Sequence, residues 1–412
     1  MTPQRVAVIL AGAGARGAYE AGVLAELLPY LDCAGSRPAL YVGTSAGALN
    51  ATMLASTAHL SVDEQVARLL RAWRSIRVND VLEPLARTTP LALTRWAGQR
   101  LAVPGLRLHG VLGTRPLART VGRLVDWPRL RANLDRADPA ALAVVATSAA
   151  GTGRSVVFVD GPGAGVAAFS DDSRPIDYSP AVITPGHLLA SAAIPVLFPP
   201  VRLGPDWFLD GGVRLNTPIK PALALGADAV VVIATHPAVP PPRSAEAPPP
   251  APPDVDDCVV QLLDVAMVDP MIEDLRTLMK INRLAAGGYR VVPFLFCGPP
   301  DRASLGELAT TAYGRPGGLL RSVLNPDLPL FGVVLGSRGT RRGDLLSYLL
   351  FEPGFIDAAI EAGRRDAARL LGDAADRAAV PWCTTAIAPL RRAAAVSSVP
   401  VGRATASADE MR

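Results

Sequence analysis

Lysine is almost missing from this 412-residue chain: only Lys220 and Lys280 carry it, so nearly all the positive charge is arginine. At a net charge of +4 the excess reads as coding bias and gives little support to a polyanionic partner. Aromatic residues make up 5% of the chain. No stacking pattern accompanies the basic residues, so nucleic acid is not expected as a partner. The cysteines, Cys33, Cys258, Cys297 and Cys383, are single and widely spaced. That excludes a CxxC redox motif and zinc-ligand spacing, and it points to a reduced, cytoplasmic setting. No acidic cluster has metal spacing, so neither a metal nor a cofactor is expected. No apolar run reaches the roughly eighteen residues that span a bilayer. The first five residues lead into a short strand rather than a signal peptide.

What is present is a large apolar fraction, 50% of residues, ample for a big core. Arg5–Ala11 reads as a continuous apolar strand of a parallel sheet covered on both faces. It runs into Gly12-Ala13-Gly14-Ala15-Arg16-Gly17. A helix is expected from Ala18, with Val23, Leu24, Leu27, Leu28 and Leu31 on one face. A second strand, Ala39–Val42, delivers Gly43-Thr44-Ser45-Ala46-Gly47, and an Ala-rich helix leaves it. Gly-x-Ser-x-Gly between strand and helix is the pattern of a nucleophile elbow. There the serine Oγ projects from a turn so tight that its flanking positions admit only glycine, and the helix dipole faces the developing charge. The turn at 12–17 also fits the Gly-x-Gly-x-x-Gly dinucleotide fingerprint, which would make the chain a nucleotide-binding regulator. That reading needs an acidic residue at the end of the second strand; the strand ends in the serine elbow, and Asp32 lies before it.

Downstream, residues 56–140 read as a helical cap. Fourteen arginines stand against four acids between Arg68 and Arg136, interleaved with Leu91, Leu93, Trp96, Leu101, Leu106 and Leu108. This stretch is either a solvated basic face or a surface for anionic lipid headgroups, and residues 91–108 are read as part of an acyl channel. Strands are expected at 141–147, 155–160, 207–210, 227–234 and 291–296, and helices at 185–193, 219–225, 255–285 and 343–372, the last interrupted at Pro353-Gly354. Residues 237–254 are Pro-rich and expected to be disordered, as is the tail at 389–412. Asp210-Gly211-Gly212 ends a strand; alone it is a common turn.

Three motifs in one order, Gly12–Gly17, then Gly43–Gly47, then Asp210-Gly211-Gly212, resemble the patatin-like phospholipase family of bacteria. The likeness includes Ala190–Pro195, Phe198-Pro199-Pro200 and Asn216-Thr217-Pro218-Ile219; it is good over 5–236 and loose over 255–372. One departure is Ala13, where the family usually has a glycine. The resemblance implies a three-layer α/β/α sandwich with a mostly parallel sheet, with residues 1–236 as catalytic core and 255–388 completing the same domain. It also implies a Ser-Asp dyad: Ser45 attacks an ester carbonyl, Asp210 takes its proton, and the N–H groups at 12–17 form the oxyanion hole, with Arg16 bracing the loop or sensing a headgroup. The implied partner is a lipid ester at a membrane surface, contacted peripherally from the cytoplasmic side. For Asp210 to work as a base it must be buried, because an exposed aspartate titrates near about 3.9. Two other readings stand beside it. A Ser45-Asp210-His236 triad has the chain order of α/β-hydrolases, and a silent scaffold would keep only the fold.

Overall fold

The computed structural model describes residues 5–83, 107–139, 141–150, 153–161, 169–171, 174–238, 265–284, 290–301, 303–314, 342–372 and 380–386, with isolated residues between 94 and 103 and between 258 and 262. Of the disorder expected at 237–254 and 389–412, all but residues 237 and 238 lies outside the described residues, as does half of the acyl channel expected at 91–108.

The described strands are β1 (Val6–Leu10), β2 (Pro38–Thr44), β3 (Ala141–Ser148), β4 (Ser155–Asp160), β5 (Phe169–Asp171), β6 (Ile176–Pro180), β7 (Val201–Leu203), β8 (Asp206–Asp210), β9 (Ala229–Ile233) and β10 (Phe294–Cys297). They form one sheet in the order β10-β9-β1-β2-β3-β4-β6-β5, with β8 added to β3 and β7 to β8. From β10 to β3 every pairing is parallel; β3 pairs with β4 and β8 antiparallel.

The apolar runs of β1 and β9 are central, and their side chains divide between two cores. Val6, Val8 and Leu10 face one side with Ala229, Val231 and Ile233. Ala7 and Ile9 face the other with Val230 and Val232. On the first side lie α1 (Gly17–Cys33), α2 (Ala46–Ser56), α3 (Val62–Ser75) and the helix Pro353–Leu371; on the second lie Ile219–Ala224 and Asp269–Arg283. Burial on both faces is why these strands need no alternation with polar residues. The helix α3 starts at a capping box: the Ser61 hydroxyl accepts from the Glu64 N–H while the Glu64 carboxylate accepts from the Ser61 N–H. Its buried Leu69, Leu70 and Trp73 seat it on the first core. The interruption at Pro353 is real: Arg342–Leu349 ends, and Pro353 opens the next helix in its first turn, where proline's missing N–H costs nothing.

Strand edges set up the site. β2 pairs with β3 as far as Thr44 opposite Val145, and leaves the sheet at Ser45. The vacated edge of β3 is taken by β8 arriving from the opposite direction, with Asp210 opposite Ala146. The last residues of β2 and β8, Thr44 and Asp210, therefore meet head to head, 166 sequence positions apart.

Candidate active site

Ser45 sits at φ 53°, ψ −120°, a left-handed conformation that costs a non-glycine residue about 1–3 kcal/mol. The surrounding backbone enforces it. A Cβ on Gly43 would overlap the Gly47 carbonyl, and a Cβ on Gly47 would overlap the Leu10 carbonyl. The elbow packs onto the end of β1 with nothing but backbone between. The helix α2 begins at Ala46, directly after the serine, so its positive end faces the hydroxyl.

The Ser45 hydroxyl lies close enough to the Asp210 carboxylate to lower its pKa. Asp210 is 5% exposed, and burial raises its pKa from 3.8 to about 7, against the lowering effect of the hydrogen bond from the Gly212 N–H and of the Ser45 hydroxyl. The Gly212 N–H donates to Oδ1 at 2.7 Å. The strand holding Asp210 is pinned by its own N–H to the Ala193 carbonyl, 2.9 Å, and by Thr147 Oγ1 donating to the Asp210 carbonyl, 2.9 Å. Gly211 donates to the Ser191 carbonyl at 3.3 Å.

Sequence reading missed Ser191. Its hydroxyl accepts from the Ser45 N–H at 2.8 Å and donates to the Val145 carbonyl at 2.6 Å, tying the elbow to β3. The motif Ala190-Ser191 is visible in the chain, but nothing local says that the serine reaches the elbow. Asn216 is a second such residue. Its carbonyl accepts the Gly12 N–H at 3.1 Å, and its buried Oδ1 has no hydrogen-bond partner.

That bond narrows the oxyanion turn. The N–H groups of Gly12, Arg16 and Gly17 are engaged, with Asn216, with Ala13, and with Gly14 and Ala15 respectively. Ala13, Gly14 and Ala15 open the 3₁₀ turn Gly14–Arg16, where the first N–H groups have no acceptor within their own helix. The nucleotide reading meets an obstacle at the same place. Gly14 lies at φ +54°, and a Cβ on it would overlap the Tyr348 carbonyl, so the close approach that this glycine permits is made by the helix Arg342–Leu349.

Arg16 is 1% exposed and braces rather than reaching for solvent. Its Nε donates to Ser347 Oγ at 2.7 Å, Nη2 donates to the Asp344 carbonyl and to Oδ1, both at 3.2 Å, and the guanidinium lies 4.2 Å over the Tyr348 ring. His236 belongs to this cluster: its Nε2 is 3.2 Å from Arg16 Nη1 and 2.9 Å from the Tyr348 hydroxyl. Arginine has no lone pair to offer, so Nε2 is the acceptor in that contact. Among the other histidines, His59 Nδ1 is 3.2 Å from Asn133 Nδ2, and His187 stacks edge-on to Phe158 at 4.7 Å.

An apolar cavity opens at Ser45, with about 660 Å³ of atom-free space counting its mouth. Trp73, Ile76, Leu117 and Val121 form one wall, Leu188 and Phe198 another, and Tyr348, Leu349 and Phe351 a third. Among the described residues, those beside Ser45 come from segments before and after 91–108 in the chain. Leu101 and Val103 are exposed. Among the described residues no group of acidic, histidine or cysteine side chains could hold a metal, and no helix is long and apolar enough to cross a membrane.

No curated protein matches the chain. Among solved structures, VipD from Legionella pneumophila is similar at a TM-score of 0.30 and 14% identity, over 88% of this chain and 67% of that one, a likeness too distant to carry an argument. The sequence model described as patatin-like phospholipase matches residues 8–223, more than half of the chain. Together with a mostly parallel sheet flanked by helices, this match assigns the chain to the patatin-like phospholipase family.

Proposed function

We propose that the chain is a serine lipid acyl hydrolase of phospholipase A or lysophospholipase type, with Ser45 as nucleophile and Asp210 as base. Family membership supports the reaction class. The observation that carries the residue roles is the contact between the strained Ser45 hydroxyl and the buried Asp210 carboxylate, in the wall of an apolar cavity. A carboxylate titrating near 7 is a far better base at neutral pH than an ordinary aspartate, and it still has the ionised form available.

In this reading the acyl chain lies among Trp73, Leu117, Val121 and Phe351, and the ester carbonyl carbon reaches Ser45 Oγ. Asp210 accepts the hydroxyl proton as the C–O bond forms. The oxyanion is met by the N–H groups of Ala13 and Gly14, with the α2 terminus adding its dipole; one such donor is worth about 2.7–4 kcal/mol in the transition state. Asp210 then protonates the leaving alcohol. Water enters, gives its proton to Asp210, and attacks the acyl-enzyme; Asp210 passes that proton to Ser45 Oγ as the C–O bond breaks and the fatty acid leaves. Residues 5–236 hold this machinery, the segment after 265 completes the same sheet and core, and a peripheral membrane surface supplies the substrate. Hydrolysis of mixed phospholipid vesicles and of a p-nitrophenyl ester, by the wild type and by Ser45→Ala, tests the assignment. Loss of turnover with the serine is expected, and an inert wild type would overturn it.

A further inference from the structure

The family match ends at residue 223, yet the oxyanion turn is held from outside that span. The helix Arg342–Leu349 reaches back to it in three ways. Its Asp344 and Ser347 take the donors of Arg16 at Nη2 and Nε. The Tyr348 ring lies under the guanidinium. The Tyr348 carbonyl sits against Gly14, closely enough that no side chain fits there.

Arg16 in turn fixes the turn itself, because its N–H closes the 3₁₀ loop onto the Ala13 carbonyl at 3.1 Å. Holding the guanidinium thus holds the peptide units of Ala13 and Gly14. The same helix end contributes Tyr348 and Leu349 to the wall of the cavity beside Ser45. A buried guanidinium needs a counter-charge and complete hydrogen bonding. The carboxylate that answers it is Asp344, which is 3.2 Å from Nη2, with a side chain 14% exposed.

We propose that Asp344 is a positioning residue for catalysis, which acts through Arg16 to hold the oxyanion N–H groups of Ala13 and Gly14 in place. The inference rests on the Ser45–Asp210 reading for its effect on rate, while its effect on the turn is independent of that reading. Removing the carboxylate frees Arg16 to re-pair, and the turn loosens with it. Misplacing an oxyanion donor by about an ångström costs on the order of a hundredfold in rate, because the donor no longer meets the transition-state charge.

The test uses the full chain with Asp344→Ala, Asp344→Asn and Ser45→Ala. It measures kcat and KM on a long-acyl p-nitrophenyl ester, and amide hydrogen exchange across residues 11–17. Asp344→Ala is expected to lower kcat by about 10- to 100-fold with KM within about twofold, and to speed exchange at 11–17. Asp344→Asn keeps an oxygen acceptor for Nη2 and is expected to recover most of both. Should Asp344→Ala fail to fold, Ser347→Ala removes the Nε acceptor together with the hydroxyl's own bond to the Asp344 carbonyl, and it tests the same brace on Arg16 at about threefold amplitude. Unchanged kcat, or a fall in kcat without faster exchange at 11–17, overturns the proposal. If wild type and Ser45→Ala are equally inert, it is the hydrolase assignment that fails, and exchange at 11–17 alone decides the role of Asp344.

Discussion

Replacing Asp210 with asparagine should abolish turnover and at the same time make the protein more stable above neutral pH. Burial lifts the folded-state pKa from 3.8 to about 7, so folding penalises the ionised form. The sign follows: the penalty is absent below the unfolded value, grows as pH rises from 3.8, and is complete above about 7. A rise of about three pH units at 1.36 kcal/mol each corresponds to about 4 kcal/mol, to be read as an order of magnitude. Asparagine keeps the Oδ1 that accepts from Gly212 and never ionises. Urea unfolding of both proteins at about pH 4, 6 and 8 measures the difference, and effects of every other titrating group cancel in the comparison. The curves should nearly coincide at the acid end and separate by up to about 4 kcal/mol at the alkaline end. The wild-type kcat/KM should fall as pH drops through about 7, as the base is protonated. A stability gap that does not change with pH, or an asparagine variant that still turns over, would refute the reasoning.

Other outcomes follow from neighbouring contacts. Ser191→Ala strands the Ser45 N–H and the Val145 carbonyl; it should cost about 1–3 kcal/mol in thermal or urea unfolding and lower kcat more than it changes KM. Gly47→Ala forces a Cβ onto the Leu10 carbonyl, and soluble yield and ester turnover should both collapse. Leu117→Trp adds bulk to the lining of the cavity at Ser45, so a p-nitrophenyl ester series should show long chains lost and short chains kept. Glu20 is fully buried, with its pKa raised by that burial although Asn50 donates to it. Glu20→Gln should therefore raise the melting temperature at alkaline pH and leave it unchanged at acid pH.

The elbow could be read from the sequence because its causes are local. Gly43 is a glycine for a backbone contact made inside the elbow itself, with Gly47, while Gly47 is one for its contact with the end of β1. The central strands were equally visible, since burial on both faces writes an unbroken apolar run such as Val6–Leu10. The expected strand at 291–296 shifts to Phe294–Cys297, because Pro293 has no N–H to pair and stands just outside it. The cavity was not legible. Trp73, Leu117 and Phe351 become neighbours only through tertiary packing, and each in its own segment is an ordinary core residue. The partner of Arg16 is 328 positions away, on a helix whose periodicity signals burial but not against what. For His236 chain order suggests a triad, and only packing shows that its Nε2 meets Arg16 and Tyr348.

The most direct test of the account is covalent labelling. The chain, with Ser45→Ala and His236→Ala beside it, is treated with a lipid-like fluorophosphonate, and the adduct is located by intact mass and peptide mapping. The account predicts one adduct, on Ser45, formed by the wild type and by His236→Ala and absent from Ser45→Ala. An adduct on another residue, or labelling that survives loss of Ser45, would contradict it.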